Sequence, residues 1–246
     1  MDSTVITEFD EAQRLGFQVL AKTVASMRQG MTEADLADIA DTLAADHGAT
    51  GVFHPPEVQF GTQTTSNAVW KTPSKSRTLA PGDLVVLDLG PAFGNAYADV
   101  GTTVAFGAPE PAVLEVAREC VRATCGFASQ WKTVGELYVF SKAWAVNHRL
   151  TLASTRSIGH AILPKEGKTR FHFPRSAHAA TWLRRHQIRF LNPARLQGMW
   201  ALRPLLSDGS YGAAFEEVIY VSGDTYRVLG RDSPAEIGTL PSIDGN

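Results

Sequence analysis

Two aspartates frame the chemistry open to this sequence. Asp88 interrupts an otherwise apolar run, Leu84-Val-Val-Leu-Asp-Leu-Gly90, and Asp99 follows eleven residues later in Ala96-Tyr-Ala-Asp-Val-Gly-Thr-Thr-Val-Ala-Phe106. Pro91 to Asn95 reads as a hairpin connection, so the two carboxylates can face the same side of an antiparallel sheet. Two buried carboxylates at close range cannot both ionise cheaply without a cation between them. Their spacing therefore implies a metal ion, an Arg or Lys partner, or a shared proton. His160, after Gly159, and the pair Glu216-Glu217 in Ala213-Ala-Phe-Glu-Glu-Val-Ile-Tyr-Val221 come next, with strand alternation turning one glutamate inward and one outward. Taken singly, each has an ordinary structural reading: a strand-end Asp caps a turn, a His after Gly packs, a Glu pair is half solvated. Together, an imidazole and several carboxylates make a donor set for Mn, Fe, Co or Zn.

The elements that must position these residues can be read from periodicity and caps. Thr7-Glu-Phe-Asp-Glu opens a helix carrying Phe17, Leu20, Val24 and Met27 to a stop at Gly30. Thr32-Glu-Ala-Asp starts a second, through Leu36, Ile39 and Leu43 to about His47-Gly48. A strand-like Glu57-Val-Gln-Phe follows, then a polar stretch, then the turn Ala80-Pro-Gly-Asp83 feeding the Asp88 strand. Further helices are expected at about Glu110–Trp131 and Val134–His148. The Ser157-Ile-Gly-His160 segment, an irregular stretch and Leu183–Ile188 come next, and strands are expected at Gly198–Pro204, Ala213–Ser222 and Tyr226–Leu229. Helix–helix–strands thus occurs once in each half. The fold class is α/β (α+β), one domain over residues 1–231, with a weakly ordered tail over 232–246.

Composition narrows the setting. Of 246 residues 44% are hydrophobic and 20% charged, ample for one core. A net charge of −2 gives no basic surface for nucleic acid or anionic lipid. No apolar run approaches the roughly 18 residues of a membrane span. Cys120 and Cys125 are five apart in a helical stretch, which turns the thiols to different faces, so neither a disulfide nor a metal clip between them is expected. These features suit a cytoplasmic protein without a nucleic-acid or membrane partner.

The motifs Val86-Leu-Asp-Leu-Gly-Pro91, Tyr97-Ala-Asp-Val-Gly-Thr-Thr103, Ile158-Gly-His160, Gly198-Met-Trp-Ala-Leu-Arg-Pro204 and Phe215-Glu-Glu-Val-Ile-Tyr-Val221 resemble, in order, those of the pita-bread metallopeptidase family. That family holds methionine aminopeptidase, Xaa-Pro aminopeptidase, prolidase and the metal-free creatinase. The segment Phe53-His-Pro-Pro-Glu-Val-Gln-Phe-Gly61 is similar to one in its prolidase-like members. The resemblance implies a pseudo-twofold antiparallel sheet flanked by helices. It also implies two adjacent divalent ions on Asp, Asp, His, Glu and Glu, and a small-molecule or short-peptide substrate. Dimers are common in the family. Carried over, Asp88 chelates one ion, Asp99 and Glu216 bridge, and His160 binds through imidazole.

The fourth family ligand, a Glu, is Arg203 here. A guanidinium has no lone pair to give a metal and stays cationic. Three outcomes are open: Arg203 takes one ion's place in a metal-free site, one ion remains, or Arg203 swings aside. The substrate-facing histidine usual before the first Asp falls at Trp70 or Lys71, and the one usual after the ligating histidine falls at Gly167. His172 is the candidate to replace it in catalysis, and His54, Trp70 and His178 are candidates for substrate contact. Catalytic roles then rest on His160, Arg203 and His172. Three readings compete: an enzyme cleaving a C–N bond of a small amino-acid-like, amide or short-peptide substrate at a one-ion or metal-free site; a conventional aminopeptidase; and an inactive binder of a peptide or protein.

Overall fold

Each half of the chain begins with two helices and ends in antiparallel strands. The computed structural model describes residues 2–66, 72–128, 132–154, 156–163 and 186–242. Helix α1 (Ser3–Ala25) starts ahead of the expected Thr7 because the Asp2 carboxylate accepts from Thr4 N at 3.0 Å and caps it. Helix α2 (Glu33–Asp46) opens on a reciprocal capping box between Thr32 and Asp35. Strands β1 (Gly51–Phe60), β2 (Leu84–Phe93), β3 (Ala96–Tyr97) and β4 (Val100–Ala105) follow. Here β2 is central, pairing antiparallel with β1, β3 and β4. The return strand expected over Ala96–Phe106 is broken at Ala98-Asp99, so Asp99 sits in the gap between β3 and β4, not across the ladder from Asp88, whose partner is Gly101.

The second half repeats the order. Helix α3 (Ala112–Phe127) starts after Pro111, two residues later than expected, and α4 (Val134–Asn147) opens on a Thr133–Glu136 capping box. The remaining strands are β5 (Thr151–Leu152), β6 (Gly159–Ile162), β7 (Gly198–Leu202), β8 (Leu206–Ser207), β9 (Gly212–Ala213), β10 (Glu217–Ser222) and β11 (Thr225–Val228). They form a four-stranded sheet in the order β11-β10-β7-β6 and a small one, β5-β8-β9. Of the segment Leu183–Ile188, the described part bonds to the edge of β6: Gln187 bridges to His160, and Ile188 N donates to Gly159 O at 2.8 Å.

Each sheet is covered by its own helix pair. Phe17, Leu20 and Leu36 pack on Val85, Leu87 and Leu89 in the first half; Leu114, Val121 and Leu137 pack on Leu202, Phe215 and Ile219 in the second. Fully burying a side chain of this size contributes roughly 1.5–3 kcal/mol. Cys120 and Cys125 lie in the second core as free thiols. Within the tail read as weakly ordered, Ile237 is fully buried and Gly238 N donates to Glu217 at 2.7 Å. The chain past Asp232 is thus anchored by a side chain and a hydrogen bond that its composition did not signal.

Candidate active site

The halves join at one edge, and the chemistry collects there. Gly101 of β4 bridges to Glu216, just ahead of β10, with Glu216 N donating to Gly101 O at 2.9 Å. Thr103 and Ala214 bond reciprocally at 2.8 and 2.9 Å. This seam brings Asp88 (β2), Asp99 (the β3–β4 gap), His160 (β6), Arg203 (just after β7) and Glu216 together. His54 of β1 joins them.

Arg203 Nε lies 3.3 Å from Asp88 Oδ2 and 3.6 Å from Glu216 Oε2. His160 Nε2 lies 3.1 Å from Asp99 Oδ2, and His54 Nε2 lies 3.3 Å from both Asp88 Oδ1 and Asp99 Oδ1. Asp99 is 2% exposed and Glu216 3%, whereas the His160 side chain is 29% exposed and forms the open side of the cluster. The backbone of Asp99 is clamped by the buried Gln13 carboxamide, whose oxygen faces Asp99 N at 3.0 Å and whose nitrogen faces Asp99 O at 3.2 Å. His160 is placed by Gly159, whose φ of +148° and 1.9 Å approach of a virtual Cβ to Ala201 O exclude a side chain. Arg203 N donates to Ile158 O, tying the guanidinium's strand end to the same loop.

The electrostatics follow from burial and neighbours. Burial raises the Glu216 carboxyl well above its ordinary value, as do Asp99 and Asp88, and Arg203 only partly offsets them. Burial acts the same way on Asp88 and Asp99, but Arg203 and His54 bring Asp88 below the usual range, and His160 and His54 bring Asp99 lower still. Burial opposes the charge on His54, yet Asp88 and Asp99 reverse that and hold it well above its usual value. With both imidazoles neutral the cluster is short of positive charge. Asp88 Oδ1, Asp99 Oδ2 and Glu216 Oε2 are buried and, among the described residues, have no hydrogen-bond donor in line. Ligand atoms of Asp99, His160 and Glu216, and separately of His54, Asp88 and Asp99, lie close enough to share an ion. Imidazole and carboxylate donors with unsatisfied oxygens fit a divalent cation.

Glu217 corrects the half-solvated reading of the glutamate pair. It is fully buried on the opposite face, where Arg231 grips it through two bonds of 2.7 and 3.0 Å and stacks over Phe17 at 3.5 Å. Alternation separated the two glutamates correctly, but both faces of β10 are covered. Trp70, Lys71, Gly167, His172 and His178 lie outside the described residues. Sequence reasoning missed the aromatic wall beside His160, where Phe53 stacks on Tyr97 at 4.2 Å and tilts toward His160 at 5.7 Å. The signal was present as Phe53-His54 and Tyr97-Ala-Asp99 flanking two of the site residues.

Comparison with known proteins agrees with this geometry. Residues 7–222 match the profile of metallopeptidase family M24. No curated protein matches significantly. Among solved structures, the X-Pro aminopeptidase from Thermotoga maritima is 20% identical with a TM-score of 0.76, covering 95% of this chain and 63% of that one. The dipeptidase PepE from Mycobacterium ulcerans is 21% identical with a TM-score of 0.72, covering 98% and 61%. The methionine aminopeptidase from Thermotoga maritima is 15% identical with a TM-score of 0.75, covering 94% and 98%. The chain therefore has the pita-bread fold, and it spans about three fifths of the X-Pro aminopeptidase and dipeptidase chains it resembles.

Proposed function

The chain belongs to metallopeptidase family M24, and on that premise we propose that it is a hydrolase cleaving a C–N bond in a small amino-acid-like, amide or short-peptide substrate at a site reduced from two ions to one. The observation that carries this reading is Arg203. Its guanidinium lies against Asp88 and Glu216, where a metal-ligating carboxylate is expected, and supplies fixed positive charge in place of a donor. Two overlapping donor sets remain among the described residues for one divalent ion of Mn, Fe, Co or Zn class: Asp99 with His160 and Glu216, and Asp99 with Asp88 and His54. Bound there, such an ion supplies Lewis acidity and an activated water.

The chain's own residues do the rest. Arg203 places a cation where negative charge develops on a carbonyl oxygen or where a substrate carboxylate is held. His160 Nε2, on the open side of the cluster, and Glu216 Oε2, behind it, are the atoms at which a proton can be held and passed to a leaving amine. The Phe53–Tyr97 stack provides an apolar wall that orients a small side chain and excludes water.

The test is metal content of protein purified without chelator, measured alongside turnover of Xaa-Pro and Met-Xaa dipeptides and small amides. One equivalent of metal with turnover of a small amide or dipeptide is the expected result. Two equivalents with ordinary aminopeptidase activity would make the protein a conventional member. No turnover, with micromolar peptide binding, would make it a binding protein.

A further inference from the structure

We propose that His54 is a metal ligand in this chain: its Nε2 joins Asp88 Oδ1 and Asp99 Oδ1 as the donor set for the single divalent ion, on the side of the aspartates turned away from Arg203. This rests on the reading that the site takes an ion, and it specifies where.

The tautomer comes first. His54 Nδ1 lies 2.8 Å from Pro55 O, a carbonyl that only accepts, so Nδ1 carries the hydrogen. A backbone carbonyl in this role is the usual outer partner that fixes a ligating imidazole. In the neutral ring Nε2 then directs a lone pair at two carboxylate oxygens, which is repulsive unless something positive stands between them. A proton on Nε2 points along one direction only, and charge-assisted N–H···O bonds close to about 2.7–2.9 Å. Here Nε2 is hydrogen-bonded to Asp99 Oδ1 at a long 3.3 Å and lies 3.3 Å from Asp88 Oδ1, which has no donor in line among the described residues. Two donors each about 2.1 Å from a shared ion, and 3.3 Å from each other, subtend about 100°, between tetrahedral and octahedral coordination.

Three further observations converge. Asp88 Oδ1 is buried without a hydrogen-bond donor in line. Gly90, the register partner of His54, leaves room for the ring: a Cβ there would stand 2.6 Å from His54 Cδ2 and 2.9 Å from Nε2. Arg203 Nε pairs with Asp88 Oδ2 and Glu216 Oε2, so the Asp88 carboxylate stands between the guanidinium and the His54 donor set. The alternative set of Asp99, His160 and Glu216 would take its glutamate donor from Oε2, the oxygen that faces the guanidinium at 3.6 Å, whereas Asp88 offers Oδ1 and leaves Oδ2 to Arg203.

The test uses the whole chain and metal alone. Wild-type protein is crystallised with one equivalent of Zn(II) and located by anomalous diffraction, and pulsed EPR on one equivalent of Cu(II) reads ligating imidazole. The expected peak lies within about 2.3 Å of His54 Nε2. Imidazole modulation is expected to disappear in His54→Gln and persist in His160→Gln, with affinity in His54→Gln down by about tenfold or more. A peak among Asp99, His160 and Glu216, with modulation lost only in His160→Gln, overturns the proposal and leaves the one-ion hydrolase reading standing. Failure of wild-type protein to hold any ion overturns both. The wild-type peak decides the matter even where a variant fails to fold.

Discussion

Replacing Arg203 with methionine keeps most of the side-chain volume and removes the one permanent cation that, among the described residues, pairs with Asp88 and Glu216. The Arg203 side chain is 13% exposed and its two partners 10% and 4%, so the lost charge is not replaced by water. Breaking a buried ion pair from one side costs about 3–5 kcal/mol, because the abandoned carboxylates stay buried. For a domain of this size about 2–4 °C of Tm corresponds to each kcal/mol, so chelator-treated Arg203→Met is expected to melt about 6–20 °C below chelator-treated wild type. A divalent ion should restore more of this loss than it adds to wild type, since the guanidinium no longer repels it. At a concentration one hundred times its Kd the ion contributes about 2.7 kcal/mol, or roughly 5–11 °C. Differential scanning calorimetry with and without Mn(II) or Zn(II) reads both effects. Equal melting of the two chelator-treated proteins, with equal metal increments, would refute the view of Arg203 as the site's internal counter-ion.

Gly90→Ala is expected to raise the Kd for Zn(II) by about tenfold while the fold survives, because its Cβ displaces the His54 ring and removes no ligand; calorimetric titration showing unchanged affinity would separate His54 from the ion. Arg231→Met should cost about 3–5 kcal/mol in urea melts, since it abandons the fully buried Glu217; a loss under 1 kcal/mol would mean that Glu217 finds another donor. Burial pushes the Cys120 thiol up to about 12 and raises Cys125 well above its ordinary value. Below about pH 7.5, a unit under the ordinary thiol value of about 8.5, these thiols are neutral in both folded and unfolded chains, so stability is fully present. As pH rises through about 8.5 the unfolded chain ionises and the folded one does not, so stability falls from there toward the native values. Denaturation at about pH 7 to 9.5, below the range in which unfolded tyrosines ionise, should show this decline, and it should be largely removed when both cysteines are replaced by alanine.

How much of the site was legible depended on whether chemistry broke a local pattern. Asp88 stood out because a carboxylate in a strand of Leu and Val is an anomaly at the strand's own period. His160 and Glu216 break no pattern by themselves and emerged only through the order of several motifs. His54 was quoted as a candidate for substrate contact, but its place beside Asp88 and Asp99 was hidden. The strand read from the sequence begins at Glu57, whereas β1 runs from Gly51 through Pro55-Pro56 with register shifts on either side of His54. Those irregularities set His54 opposite Gly90, and no sequence period encodes such a register. The second burial face of β10 was illegible for a related reason: the cation that covers it, Arg231, comes from beyond the last strand.

Arg203 changes what an ion has to do in this site. Five anionic and imidazole donors around two metals leave a surplus of buried negative charge when the metals go, so folding and loading are coupled. Here five carboxylate oxygens of the cluster each face a nitrogen: Arg203 for Asp88 Oδ2 and Glu216 Oε2, His54 for Asp88 Oδ1 and Asp99 Oδ1, His160 for Asp99 Oδ2. With one guanidinium always charged and two imidazoles able to take protons, the cluster can approach neutrality without a metal. An ion then competes with protons on the histidines and no longer with a wholly uncompensated set of acids. Metal affinity in this chain should accordingly rise with pH through the histidine range, while the chelator-treated protein remains folded, and it is the loss of Arg203 that should make folding depend on the ion.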